Sequence, residues 1–99
     1  MPTTTAAIAS QTAADTYEFT LESGATAQIY CTPNLGRRER VTLNRSIDDG
    51  SNHDVEVDTG KGGNVLLSEG TSSVLVTGPG YFQIVKPVTA VATAVYIDV

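Results

Sequence analysis

Five acidic side chains lie close together in the middle of the chain, and they are the first candidates for chemistry. They are Asp48, Asp49, Asp54, Glu56 and Asp58, with no lysine or arginine among them. Oxygen atoms of Asp48, Asn52 and Asp54 are of the kind that Ca²⁺ prefers. However, Gly50 stands where an EF-hand loop needs Asp or Asn. Alternate carboxylates on a strand would lie about 7 Å apart, too far for one ion to be held by three of them. The sequence therefore favours a solvated strand face over a metal site.

A nucleophile or a zinc ion would need partners that the chain does not supply. The chain has one cysteine, Cys31, and one histidine, His53, whereas a zinc site takes several such ligands. Cys31 ends the alternating run AQIYC, so we expect a buried and inert thiol. The runs GKGG and GTSSV lack the spacing and the following helix of a phosphate loop and of a nucleophile elbow. We therefore predict no catalytic residue, no metal and no cofactor, and a protein that is not an enzyme.

Basic side chains cluster just before the acidic group. Arg37, Arg38, Arg40 and Arg45 are four of the six basic residues. Arginine forms bidentate pairs with carboxylates and is enriched at interfaces. This favours a docking patch, made of Arg37, Arg38 and Arg40 among others, that binds an acidic partner. The alternative is that the arginines face the acidic residues 48–58 of the same chain. A net charge of −5 argues against nucleic acid and against an anionic membrane surface as the main partner.

The segments that must position these residues have the two-residue period of strands. Alternation begins at Thr16 in TYEFTLE and recurs in TAQIYC, ERVTLNRSI, HDVEVD, NVLLS, SSVLVT, YFQIVK and ATAVYIDV. About eight antiparallel strands in 99 residues predict one all-β domain, either a β-sandwich or a small β-barrel. Matching the polar faces of the two middle strands predicts their register. It pairs Ser46 with Asp54, Asn44 with Glu56 and Thr42 with Asp58.

Residues 1–15 have a different character from the rest of the chain. They are mainly Thr, Ala and Ser, with Ile8 as an isolated apolar anchor. Such a segment cannot bury enough surface to fold alone, so we expect an extended N-terminal arm ahead of a domain at 16–99. We expect a neighbouring chain to hold this arm through Ile8. The segment lacks the basic and apolar regions of a signal peptide, and the chain has no run of about 20 apolar residues for a membrane span.

The run GPGYFQIVKP at residues 78–87 predicts a rigid, tight hairpin turn that enters a strand with apolar groups on both faces. Phe82 and Ile84 share one face, and Tyr81 and Val85 share the other. An interface is one way to cover the second face, so Tyr81 and Val85 are predicted partner contacts. A domain of this size buries only about two thirds of its unfolded surface. The thin core therefore favours association, and we expect a homo-oligomer.

The C-terminal block VLVTGPGYFQIVKPVTAVATAVYIDV resembles the ending of small virion proteins of tailed bacteriophages. The matching residues are 78–87, with their Gly-Pro-Gly-aromatic turn and Lys-Pro ending, and 95–98. The Thr/Ala-rich arm and the thin core are similar to those of capsid decoration (cement) proteins. The resemblance implies a structural protein, made in the host cytoplasm, that binds and stabilises the outer surface of an assembled capsid. Its partner would be the major capsid protein or another virion protein, and its own state an oligomer, a trimer first.

Two other functions remain open from the residues alone. The chain could be a tail or head–tail connector component, which belongs to the same structural class. It could instead be a small β-sandwich module that binds a ligand such as a carbohydrate. That module would need exposed aromatic rings, for which the chain offers Tyr17, Tyr30, Tyr81 and Tyr96 and no tryptophan.

Overall fold

A computed structural model gives the structure of the chain and describes residues 4–46, 55–57 and 63–99. Those residues form nine β-strands and contain no helix, hence none that could cross a membrane. The strands are β1 (Thr4–Gln11), β2 (Asp15–Leu21), β3 (Thr26–Thr32), β4 (Val41–Ser46), β5 (Val55–Glu56), β6 (Val65–Leu67), β7 (Ser73–Thr77), β8 (Gly80–Lys86) and β9 (Thr93–Asp98). The predicted all-β fold is confirmed.

The strands form two antiparallel sheets with the core between them. The first sheet has the order β1-β9-β3-β7, and the second has the order β2-β8-β4-β5. β6 pairs with the beginning of β4 and β5 with its end, so the two short strands follow each other along one edge of β4. This arrangement is a small β-sandwich, with nine described strands where the sequence predicted about eight.

Alternation along the strands places one apolar face of each sheet in the core. Ile29, Ile84 and Val95 on the central strands β3, β8 and β9 are fully buried. Cys31 follows the same alternation and is also buried. Burial raises the pKa of its thiol, which disfavours the reactive thiolate. The buried thiol expected from the sequence is therefore confirmed.

The predicted register of the middle hairpin is also confirmed where it can be compared. Asn44 pairs with Glu56, and the Val57 N–H donates to the Leu43 carbonyl at 3.1 Å. The other predicted pairs involve Asp54 and Asp58, which lie outside the described residues.

The N-terminal segment corrects the expectation of a separate arm. Residues 4–11 form β1, which pairs antiparallel with β9 from Thr4↔Asp98 to Gln11↔Thr93. Ile8 is 1% exposed and belongs to the core of its own chain, so it does not present a surface for the predicted partner contact. The segment is short of apolar bulk, yet β9 offers it a strand edge that satisfies its backbone hydrogen bonds. No neighbouring chain is needed to order it.

The Gly78-Pro79-Gly80 turn also differs from the tight hairpin expected of it. It joins β7 of the first sheet to β8 of the second, so it is an arch between the sheets. The Gly78 N–H donates to the Ala25 carbonyl at 2.9 Å. A side chain at position 78 would overlap the Glu22 carbonyl oxygen and would lie 2.7 Å from the Leu21 Cβ. Glycine is required here because the arch packs directly on the end of β2.

One end of the sandwich is closed by a buried lysine. Lys86 continues the inward row of Phe82 and Ile84 on β8 and is 0% exposed. Its Nζ donates to the carbonyls of Ala13 at 2.7 Å and Pro87 at 3.1 Å, and to the Thr89 hydroxyl at 3.4 Å. Burial lowers the pKa of this amine, and the nearby carboxylates of Glu39 and Asp15 partly oppose that effect. The amine thereby ties the β1–β2 turn to the end of β8.

Candidate functional site

The chemistry considered first from the sequence finds little support in the described residues. Within residues 4–46, 55–57 and 63–99, no group of three or more His, Cys, Asp or Glu side chains could hold a metal ion. Of the acidic cluster, only Glu56 lies in these ranges. His53, Asp48, Asp49, Asn52, Asp54 and Asp58 lie outside them. The preference for a solvated strand face over a Ca²⁺ site therefore stays a prediction. So does the alternative that the arginines face the acidic residues 48–58.

Three of the predicted partner residues come together on one surface. Arg37, Arg38 and Arg40 are exposed and line a polar cleft of about 410 Å³ with the β6–β7 turn, which contributes Glu69. We call this surface the arginine cleft. The loop that carries it is anchored by Leu35, which is 2% exposed. The cleft thus presents three guanidinium groups against one carboxylate, a setting that favours an anionic ligand group.

A carboxylate within the arginine run is used to hold the loop in place. The Glu39 Oε1 accepts from the Gly36 N–H at 2.7 Å, and its Oε2 accepts from the Ala90 N–H at 2.7 Å. These two backbone donors, Ala90 first, lower the pKa of Glu39. Arg38 adopts a positive φ of 68°, a conformation that bulky residues seldom take. Both features contribute to the shape of the loop, and the Glu39 carboxylate holds the loop rather than lining the cleft.

The other two predicted partner residues lie on the outer face of the second sheet. Tyr81 is 40% exposed and stands between Thr20 of β2 and Ser46 of β4. Val85 is half-buried and pairs with Thr16 and Thr42. The two apolar side chains are therefore set among polar neighbours. The structure brings them to one face with each other but does not show what covers that face.

A second cleft was not predicted from the sequence. It has a volume of about 270 Å³ and lies between the two sheets beside β7. We call it the inter-sheet cleft. Its walls include Leu43, Leu66 and Phe82 from the second sheet, and at its mouth the Arg45 guanidinium carbon lies 6.0 Å from the centre of the Phe82 ring. One signal in the sequence marks it: SSVLVT places Leu75 opposite the inward Val74 and Val76, so this strand is apolar on both faces.

The outer face of the first sheet carries a pair of tyrosines. Tyr30 on β3 and Tyr96 on β9 are direct cross-strand neighbours, and their rings stack with centres 5.5 Å apart. Beside them, Asp98 accepts hydrogen bonds from the Thr4 hydroxyl at 2.6 Å and from the Tyr30 hydroxyl at 3.4 Å. Both rings are half-buried, so this pair is partly accessible to a ligand.

Comparison with known proteins adds no further constraint on these surfaces. No protein-family model, curated protein sequence or solved structure matches the chain. The candidate sites are therefore the two clefts and the tyrosine pair, defined by their own geometry.

Proposed function

We propose that this chain is a structural virion protein that binds and stabilises an assembled phage capsid as a decoration (cement) protein. The observation that carries the proposal is the arginine cleft, where Arg37, Arg38 and Arg40 are exposed. Their loop is held in place by the hydrogen bonds of the Glu39 carboxylate. A preformed set of arginines suits docking to carboxylates on another protein.

The C-terminal resemblance supports the structural part of this proposal. Its matching residues fall in β8 and β9 and in the arch before β8. Both strands lie between two neighbours in their sheets, β8 between β2 and β4, and β9 between β1 and β3. The resemblance therefore concerns the framework of the sandwich. The arginine cleft lies outside the matching residues.

Stabilisation of a capsid would follow from mass action. A protein that binds the assembled shell and not its free subunits favours the shell in proportion to occupancy. Many equivalent contacts around the shell add avidity if the protein is an oligomer. Since the chain carries a net charge of −5, its basic patch would orient the protein so that the arginine cleft faces an acidic capsid surface. Binding should weaken as salt screens the arginines.

The test is co-sedimentation of the purified protein with empty shells assembled from a tailed-phage major capsid protein. We expect saturable binding that falls at least about tenfold when Arg37→Gln and Arg38→Gln are combined, since two charge-assisted contacts are lost. The matched control combines Ser10→Glu and Thr26→Glu, exposed positions of the first sheet that shift the net charge by the same amount. Equal weakening by both pairs would show a general charge effect, and no binding by the unaltered protein would reject the decoration role.

The tyrosine pair favours a second candidate, a carbohydrate-binding module. Sugar rings bind to aromatic faces while neighbouring polar groups bond their hydroxyls, and Asp98 and Thr4 lie beside Tyr30 and Tyr96. Titration with bacterial surface oligosaccharides, followed by tyrosine fluorescence, tests this function. Binding lost in Tyr96→Ala but retained in the Arg37→Gln, Arg38→Gln protein would support it over the decoration role.

A further inference from the structure

We infer that the outer edge of β7, together with the inter-sheet cleft beside it, accepts an extended segment of a partner protein as an added β-strand. This surface is separate from the arginine cleft, and the inference does not depend on a role in virions. Within the described part of the chain, β7 pairs only with β3. Its other edge is therefore a template for strand addition.

The lining of the cleft shows that it runs along the edge of β7. Four consecutive residues, 74–77, line it. Neighbouring side chains on a strand point to opposite faces of the sheet, so a cavity on one face would touch only alternate residues. A cavity that meets all four follows the backbone itself. The hydrogen-bonding edge of the strand and the apolar cleft are thus one continuous surface.

The hydrogen bonds at both ends of β7 reveal which backbone groups face that edge. The Cys31 N–H donates to the Ser72 carbonyl at 3.1 Å, and the Gly78 N–H donates to the Ala25 carbonyl at 2.9 Å. In an antiparallel ladder, residues that bond to one neighbour alternate with residues whose N–H and C=O point away from it. The even-numbered positions therefore bond to β3. The N–H and C=O groups of Ser73, Leu75 and Thr77 point to the outer edge.

The cleft provides selectivity for the side chains of an added strand. Every second side chain would enter the space walled by Leu43, Leu66 and Phe82, and medium-sized apolar groups suit its volume. The side chains between them would lie on the outer face beside Leu75, which is 63% exposed. At the mouth, Arg45 is exposed in a chain of net negative charge. A carboxylate on the incoming segment would complement it.

These features fit a partner segment better than β7 of a second copy. A second copy would offer Val74 and Val76 as its inward side chains, but those residues already line the cleft of their own chain. Two copies would also bring together two net charges of −5. The expected occupant is an extended polypeptide with alternate valine-sized side chains and an acidic residue that reaches Arg45.

The experiment uses the full chain and a short acetylated peptide in which valine alternates with threonine and a glutamate stands at one end. Amide hydrogen exchange is followed by NMR with and without peptide. We expect exchange at Ser73, Leu75 and Thr77 to slow at least about tenfold in the complex, since these amides would gain hydrogen bonds. The matched control peptide has the same side chains but is N-methylated at alternate amides on its pairing edge, and it should bind at least about tenfold more weakly.

Two variants of the protein complete the test. Leu75→Pro removes an N–H that does not bond to β3, which an edge strand tolerates, and should weaken the peptide at least about tenfold. Arg45→Gln should weaken the peptide with glutamate but not its glutamine analogue. The inference is overturned if the methylated peptide binds equally well, if other amides are protected, or if light scattering shows an oligomer in which the amides of Ser73, Leu75 and Thr77 are already protected without peptide.

Discussion

The two ends of the second sheet carry the same kind of side chain in opposite settings. Lys86 on β8 and Arg45 on β4 each lie on the core-facing side of their strand. Antiparallel pairing of the two strands places them at opposite ends of the sheet. Lys86 is 0% exposed and donates to Ala13, Pro87 and Thr89. Arg45 is exposed over the ring of Phe82 at the mouth of the inter-sheet cleft.

The difference comes from the segments that cover each end. The β1–β2 turn and the loop after β8 bring carbonyl and hydroxyl acceptors over Lys86, so a buried amine can be satisfied there. At the other end, Arg45 is exposed and lines the inter-sheet cleft instead of lying under a covering loop. A cation at a closed end stabilises the fold, whereas a cation at an open end is available for binding. The comparison predicts that substitutions at the two positions will affect different properties.

Lys86→Ala should have the largest effect on stability. It removes the buried aliphatic stem and leaves the acceptors of the closed end without a donor, so we expect the free energy of unfolding to fall by about 3 kcal/mol. Lys86→Met keeps most of the stem and should cost about 1 kcal/mol, because relief of the buried charge offsets part of the lost hydrogen bonding. Urea denaturation measures both. Equal stability of Lys86→Ala and the unaltered protein would show that Lys86 does not stabilise the closed end.

The next effect is expected at the arch that borders the open end. In Gly78→Ala, the added methyl group would overlap the Glu22 carbonyl and Leu21, so the arch must shift, at a cost of about 2 kcal/mol. Gly70→Ala is the matched control, because nothing lies within 4 Å of a side chain there. Thermal unfolding of the two variants gives the comparison. A Gly78→Ala protein as stable as Gly70→Ala would show that the arch is not tightly packed.

The sequence predicts the strands well because alternation records which side of a strand faces the core. The same alternation predicts the pairing of Asn44 with Glu56, since a slip of one residue would mix the faces. It does not record which sheet a strand joins. The Gly78 arch was therefore mistaken for a hairpin, and the segment around Ile8 for an arm.

The sequence predicts the sites less well because they depend on contacts between distant segments. A lysine before proline resembles an exposed strand end, and only the turn at Ala13 and the loop at Thr89 make Lys86 a buried residue. The three clustered arginines could be recognised from spacing alone. The inter-sheet cleft could not be located in this way, because the two apolar faces of β7 do not tell which residues of β4 lie across from them in the folded chain.

Acid should loosen the closed end through Glu39. The backbone N–H groups of Ala90 and Gly36 lower the pKa of this carboxyl from its ordinary value of 4.5. A carboxyl with a lowered pKa in the folded state stabilises the fold above its unfolded pKa, and this contribution is lost as the pH falls through the folded pKa. We expect the free energy of unfolding to fall below about pH 4.5, with a smaller fall in Glu39→Gln. Parallel pH curves for the two proteins would contradict this role.

Arg45→Ala should have the smallest effect on stability, although it is the counterpart of Lys86→Ala. The guanidinium is exposed and lies 6.0 Å from the Phe82 ring, so its removal should cost about 0.5 kcal/mol. The same substitution should weaken the acidic peptide at the inter-sheet cleft, while Lys86→Met should leave peptide binding unchanged. Urea denaturation and peptide titration of the two variants together separate the ends. If Arg45→Ala destabilised the fold as much as Lys86→Ala, the two ends would not differ in function, and Arg45 would be part of the framework of the sandwich.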